Sequence, residues 1–242
     1  MCDSGDVPPG PTPRQLARAE NTTRIKTLAL AQLAASGATT LSLRAIAREL
    51  HIVSSAIYRY YPSRDDLITD LVLDAYSDLA DTLEAASRPR RSPRRRWVDT
   101  GHALRTWARA EPHRFALVYG SAIPGYRAPV ATVAPAGRVV AAFLGLAPHS
   151  GTRPRARAIS RALGVDLDRT GAAFGLDVDR EVVLAHTAAF AQLVGLLTLE
   201  LNGHFVGGFE PADELFDAVL ERAADGLGLQ AAGQGAAAPS SE

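Results

Sequence analysis

The chain has 242 residues, with 26 basic and 26 acidic side chains, so its formal net charge is zero. Hydrophobic residues make up 47% and charged residues 21%, the balance of a globular protein with an ordinary core. The single cysteine, Cys2, excludes a disulfide framework and points to a reducing cytoplasm. No apolar run is expected to reach the roughly 18–20 residues of a membrane span. Residues 1–13 carry Pro, Gly and Asp without an apolar stretch, which is not the make-up of a signal peptide.

The charge is unevenly placed. Residues 11–64 hold eight basic side chains against Glu20 and Glu49, a surplus of six. Residues 65–86 hold seven acids and no base, which reads as a solvated helix face. A basic front half is what a local nucleic-acid surface requires, even on a neutral chain.

In chain order, residues 1–13 are expected to be disordered. Asn21 or Thr22 can cap a first helix carried by Ile25, Leu28, Ala29 and Leu33 and ended by Gly37. Ser42 opens a short second helix with Leu43, Ile46, Ala47 and Leu50. A turn over 51–53 leads to a third helix over 54–60, stopped by Pro62. Ser63 caps a long fourth helix with Asp65 and Asp66 in its first turn, where the helix dipole favours acids. Its apolar stripe is Leu67, Leu71, Val72, Ala75, Leu79 and Leu83.

The run SRPRRSPRRR over 87–96 breaks this pattern and reads as a solvated hinge. Beyond it, helices are expected over 97–111, 114–119, 135–146, 155–163, 180–201 and 212–227, with no period-2 strands. Residues 229–242, rich in Gly, Ala and Ser, are expected to fray. The fold class is all-α. A helix-turn-helix domain occupies 14–64 and a larger helical domain 65–228.

The stretch 41–61 has the spacing of a helix-turn-helix. Ile46, Leu50, Ile52 and Ile57 sit where two short helices share a core, and Ala47 is small at their crossing. His51 takes the turn position, where a positive φ favours glycine. The run LSLRAIARELHIVSSAIYRYYPSRDDLI resembles the N-terminal domain of the tetracycline-repressor (TetR) family of bacterial regulators, with His51 in place of the usual Gly. The resemblance covers residues 20–75. It implies a three-helix DNA-binding domain joined by the fourth helix to a ligand-binding and dimerisation domain.

Chemistry and resemblance together nominate nine DNA contacts. Ser42 can offer a hydroxyl and a free backbone N–H to a phosphate. Arg44, placed by the resemblance, suits a guanine edge, a contact worth roughly 1–3 kcal/mol of discrimination. Ser54, Ser55 and Ala56 form a small leading edge that permits close approach. Tyr58 and Tyr60 combine packing with phosphate or base contact, and Arg59 projects away from the core. Arg64 resembles the family's phosphate-binding basic position.

A second run, WARAEPHRFALVYGSAIPGYRAPV, is similar to a C-terminal domain found in actinobacterial members of the same family. An apolar effector pocket is expected from among Trp107, Phe115, Tyr119, Tyr126, Phe143, His186, Phe190 and Leu193, each of which can equally be core. The resemblance also implies a homodimer through the helices over 180–201 and 212–227. No HExxH, paired CxxC, GxxxxGK[ST] or GxSxG is present, so no enzyme, metal or cofactor is expected. The expected protein is a cytoplasmic repressor, released from a palindromic operator by a small lipophilic effector.

Overall fold

A computed structural model describes residues 12–146, 159–173 and 179–229. Among them are ten α-helices and no strand, which is the expected fold class. The tails over 1–11 and 230–242, and residues 155–158 of the helix expected over 155–163, lie outside the described residues. The chain divides into two compact units. One holds residues 1–71 with 123–126, the other residues 72–122 with 127–242.

The first unit contains α1 (Pro13–Ser36), α2 (Leu43–Glu49), α3 (Ser54–Ile57) and the start of α4 (Arg64–Ala86). α1 begins eight residues earlier than Asn21. Thr12 accepts from Gln15 N–H while the Gln15 side chain accepts from Thr12 N–H, a full capping box followed by Pro13. The buried side chains are Ile25, Ala29 and Leu33 from α1, Leu43, Ile46 and Ala47 from α2, Ile57 from α3, and Leu67, Ile68 and Leu71 from α4. Ile52 is only half-buried.

The turn after α2 explains His51. Ile52 N–H reaches Ala47 O at 3.0 Å and His51 N–H reaches Arg48 O at 3.0 Å. This pair of bonds closes a helix end only if the residue between them is left-handed. His51 has φ +56°, the one non-glycine with positive φ among the described residues. The ends after α9 (Arg180–Leu201) and α10 (Asp213–Gly226) close in the same way, but with Gly203 and Gly228 at that position.

The second unit contains the rest of α4, α5 (Pro93–Ala110), α6 (Pro112–Tyr119), α7 (Val133–Leu144), α8 (Arg161–Ala173), α9 and α10. The segment read as a hinge lies inside this unit. Residues 93–96 form the first turn of α5, capped by Ser92, and Arg94 donates to Asp225, Glu221 and Leu229 O. α8 shares only residues 161–163 with the helix expected over 155–163 and runs ten residues beyond it. Gly164 and Gly171 interrupt its apolar pattern, yet both are buried with Leu167.

Most acids of α4 are exposed, as a solvated face requires, and several of them are also paired. Asp78 accepts from Trp107 Nε1 at 2.8 Å and Arg114 at 2.9 Å, and Arg138 bridges Asp81 and Glu84. Those two carboxylates hold the Arg138 guanidinium in its charged form. In the first unit, Asp70 accepts from Tyr61 Oη at 2.5 Å and pairs with Lys26 at 2.9 Å.

α9 is the central helix of the second unit and packs against α5, α6, α7, α8 and α10. Its best 18-residue window has mean hydropathy 1.8, so by length and composition it could cross a membrane, contrary to expectation. Only 28% of that window is buried. Arg105, 7% exposed, ties α5 to its neighbours. It donates from Nε and Nη2 to both carboxylate oxygens of Glu200 and from Nη1 to Asp213 at 2.6 Å, and stacks on Phe216 at 5.0 Å.

His186 is 2% exposed and sets its ring edge-on to Trp97. Desolvation holds its pKa below the ordinary 6.5, although the bond to Val182 O opposes the shift.

Three outcomes follow for stability. Replacing Arg105 with Met leaves Glu200 without its partner and lowers the unfolding free energy by about 3 kcal/mol. Urea melts should show a lower midpoint at unchanged slope, with much of the loss recovered by adding Glu200→Leu. His51→Gly removes a left-handed side-chain penalty and raises stability by about 1 kcal/mol in the same assay. His186 binds a proton more readily unfolded than folded, so its contribution is complete above pH 6.5 and is lost as pH falls below it. Thermal melts at about pH 7.5 and 5.5 should fall less for His186→Leu than for wild type.

Candidate DNA interface

The helix-turn-helix forms because two short helices are braced by α1 and by the turn that follows α3. Ser42 caps α2, its Oγ accepting from Ala45 N–H at 3.3 Å. Its own N–H is not free for a phosphate, because it donates to Gln32 Oε1 at 3.0 Å. α3 is one helical turn, three residues shorter than expected. Beyond Ile57 the chain tightens into three-residue steps, Arg59 N–H to Ala56 O and Tyr60 N–H to Ile57 O. Pro62 disfavours helical geometry at Tyr61, which is itself buried and fixed to Asp70.

Around this turn Arg44, Ser54, Ser55, Tyr58 and Arg59 are exposed, while Ser42, Ala56, Tyr60 and Arg64 are half-buried. Tyr58, at 41% exposure, is not a core residue. Tyr60 faces α1. Its Oη accepts from Asn21 at 3.1 Å, and Arg18 lies 5.2 Å over its ring and donates to Arg59 O. Arg18 is therefore a brace on the turn and not a free arm. Arg64 is folded back: Nη2 donates to Ala38 O at 2.5 Å, and buried Nε has no partner among the described residues. In this conformation it fastens the start of α4 to the turn after α1.

Ion pairing differs among the arginines of the two units. In the second, Arg91, Arg94, Arg95, Arg105, Arg114 and Arg138 all sit in ion pairs. Arg44, Arg48 and Arg59 in the first are exposed and have no ion pair among the described residues. Unneutralised guanidinium groups beside a helix-turn-helix can pair with phosphate or a guanine edge.

The residues nominated for an effector pocket do not all meet. Tyr126 belongs to the first unit, where its hydroxyl lies 3.1 Å from Thr69 Oγ1. Its loop leaves the second unit between α6 and α7, which no local pattern signals. Trp107, Phe115, Phe143 and Leu193 are buried in one core, with Tyr119 and Phe190 packed against it. A cavity of about 330 Å³ lies elsewhere, lined by Ala188, Gln192, Arg222 and Gly226 among others. Sequence reading missed Trp97, the ring against which both Phe143 and His186 rest. Its position beside the arginine run hid it.

Comparison with known proteins agrees with this architecture. Residues 25–71 match the bacterial regulatory proteins of the tetR family, and residues 97–223 match a tetracyclin repressor-like C-terminal domain. The HTH-type transcriptional regulator Rv1816 of Mycobacterium tuberculosis is 40% identical over 202 residues, which cover 79% of this chain and 85% of the relative. The regulator Mb1846 of Mycobacterium bovis matches to the same extent. The solved regulatory protein SCO4313 is 35% identical and superimposes with a TM-score of 0.72, covering 88% of this chain and 98% of its own. A tetR-family regulator from Rhodococcus RHA1, 17% identical with a TM-score of 0.58 over 86% of this chain and 97% of that one, shares the fold. The chain belongs to the tetracycline-repressor family of DNA-binding transcriptional regulators.

Proposed function

We propose that this regulator is a homodimeric repressor, released from a palindromic operator by a small lipophilic effector. The observation that carries the DNA contact is the exposed, unpaired state of Arg44 and Arg59 beside Ser54, Ser55 and Tyr58. Arg44 and Arg59 are the base-edge and phosphate ligands. The two serines and Ala56 let the backbone approach the groove. Tyr60 and Arg64, engaged within the unit, position the turn, and Arg64 can turn outward to a phosphate by giving up one carbonyl. Ser42 contributes its hydroxyl proton only.

The dimer rests on α9. Its outward stripe, Leu184, Ala188, Ala191, Gly195 and Leu199, is uncharged and exposed, and the cavity between α9 and α10 adjoins it. An apolar helix this exposed is expected to be covered, and a second copy covers it symmetrically. A palindromic site requires its two recognition elements one DNA turn apart, about 34–36 Å, and a twofold dimer is the arrangement that suits it. The apolar interior of the second unit supports a lipophilic effector, which can release the DNA only through unequal affinity for the two states. The action is at DNA, so the site of action is the cytoplasm.

Mobility shifts on the DNA upstream of the gene test this reading. Wild type should give a specific, salt-sensitive shift. Arg44→Ala and Arg59→Ala should each weaken it by about tenfold, while Arg90→Ala, an exposed arginine of the second unit, leaves it unchanged. Absence of a specific shift, or equal weakening by Arg90→Ala, sinks the proposal and favours a protein-interaction module on this fold.

A further inference from the structure

The charged side chains of α10 are Asp213, Glu214, Asp217, Glu221, Arg222 and Asp225. Four of them have partners on α5. Asp213 pairs with Arg105 and Arg109, Asp217 lies 3.6 Å from His102, and Glu221 and Asp225 share Arg94. Glu214 and Arg222 are exposed and have no ion pair among the described residues.

These two are opposite in sign but cannot meet each other. They stand eight residues apart, about 12 Å along the axis, whereas side chains on one helix meet only at a separation of three or four residues. Each is left to water or to another chain. Arg222 also lines the groove of about 330 Å³ between α9 and α10, with Ala188, Gln192 and Gly226, and no acid lines that groove.

Their spacing has a symmetry of its own. Glu214, exposed Ala218 and Arg222 lie on one i±4 ridge, with Ala218 midway. A twofold axis across α10 at Ala218 sets each residue against the one equally far on the other side in a second copy. Arg222 then meets Glu214 of the second copy, and Glu214 meets its Arg222. The surface is complementary to itself, which a closed dimer needs and a site for an unrelated protein does not. The small side chain at the midpoint lets the two helices approach. Gly195, exposed on α9, fits the same use. Glycine weakens a helix interior relative to alanine, yet a Cβ here would meet nothing of this chain within 4 Å.

We infer that two copies of this chain join with Ala218 of α10 at the twofold axis, Arg222 of each paired to Glu214 of the other. The inference rests on the dimer reading above and names the contacts that set its register. The outward stripe of α9 is uncharged, so it supplies apolar area but little direction. The reciprocal ion pairs supply direction, because like charges brought together there are costly.

Charge exchange in the full chain tests it, by sedimentation equilibrium and native mass spectrometry. Wild type should be a dimer. Arg222→Glu makes both pairs acid on acid, and Glu214→Arg makes both base on base. Each should weaken dimerisation by about a hundredfold. The double variant Arg222→Glu/Glu214→Arg reverses both pairs and should dimerise like wild type. An equimolar mixture of the two single variants should form the heterodimer almost exclusively, since only there does every acid meet a base. Glu214→Arg also removes an acid from the first turn of α10, so folding is checked by circular dichroism. If one single variant fails to fold alone, the mixture and the double variant still decide. Single variants that dimerise like wild type, a double variant as weak as the singles, or heterodimer at its statistical share overturns the inference. The dimer reading is judged separately. A monomeric wild type removes both, whereas a dimeric wild type insensitive to the exchanges leaves the dimer standing and this register fallen.

Discussion

The carboxylates of α4 are the constraint on which much of the rest depends. One helix carries a row of acids, and in each unit those acids are bound by side chains from other elements. In the first unit Asp70 gathers Lys26 and the Tyr61 hydroxyl. In the second, Asp78 gathers Trp107 and Arg114, and Asp81 with Glu84 gathers Arg138. Several of these pairs are exposed, where an ion pair is worth little on its own. Their value is in direction. Each selects which face of α4 meets which partner, while the apolar stripe beneath supplies most of the free energy.

This arrangement also decides where positive charge is left over. Arginines are abundant in both halves, and six of the second unit, Arg91, Arg94, Arg95, Arg105, Arg114 and Arg138, are matched by acids. The helix-turn-helix has few acids of its own, so Arg44, Arg48 and Arg59 remain unneutralised. A chain of zero net charge thereby acquires one basic surface. The same turn is stiffened from behind by Arg18 and Asn21 on Tyr60, which holds a recognition helix of only four residues in place.

In the second unit the contrast lies between a satisfied and an unsatisfied polar group. Arg105 is nearly as buried as His186, but its guanidinium meets two carboxylates and an aromatic face. It behaves as a rivet between α5, α9 and α10. His186 meets one carbonyl and the Trp97 ring, and its second nitrogen has no partner among the described residues. A closed network rigidifies a core, whereas an unpaired buried polar group is costly in the same low dielectric.

The amino-acid sequence by itself determined the all-α class, the helix-turn-helix at 41–61, the left-handed turn at His51 and the family. Each of these rests on short-range patterns: apolar spacing, caps, and one residue at a turn. Tertiary structure decided what such patterns cannot hold. α1 was legible only in part, because its true start depends on a Thr12–Gln15 cap that the weak apolar periodicity before Ile25 concealed. The run at 87–96 looked like a hinge until the acids that bind Arg94, from α10 far along the chain, were in place. Tyr126 looked like a neighbour of Tyr119, seven residues away, yet the loop carries it into the other unit. Arg64 and Arg44 are alike as residues, and only the fold turns one inward to a carbonyl and leaves the other exposed. Local order is written in spacing along the chain, whereas the partner of a charge or a ring is chosen by whatever the fold brings beside it.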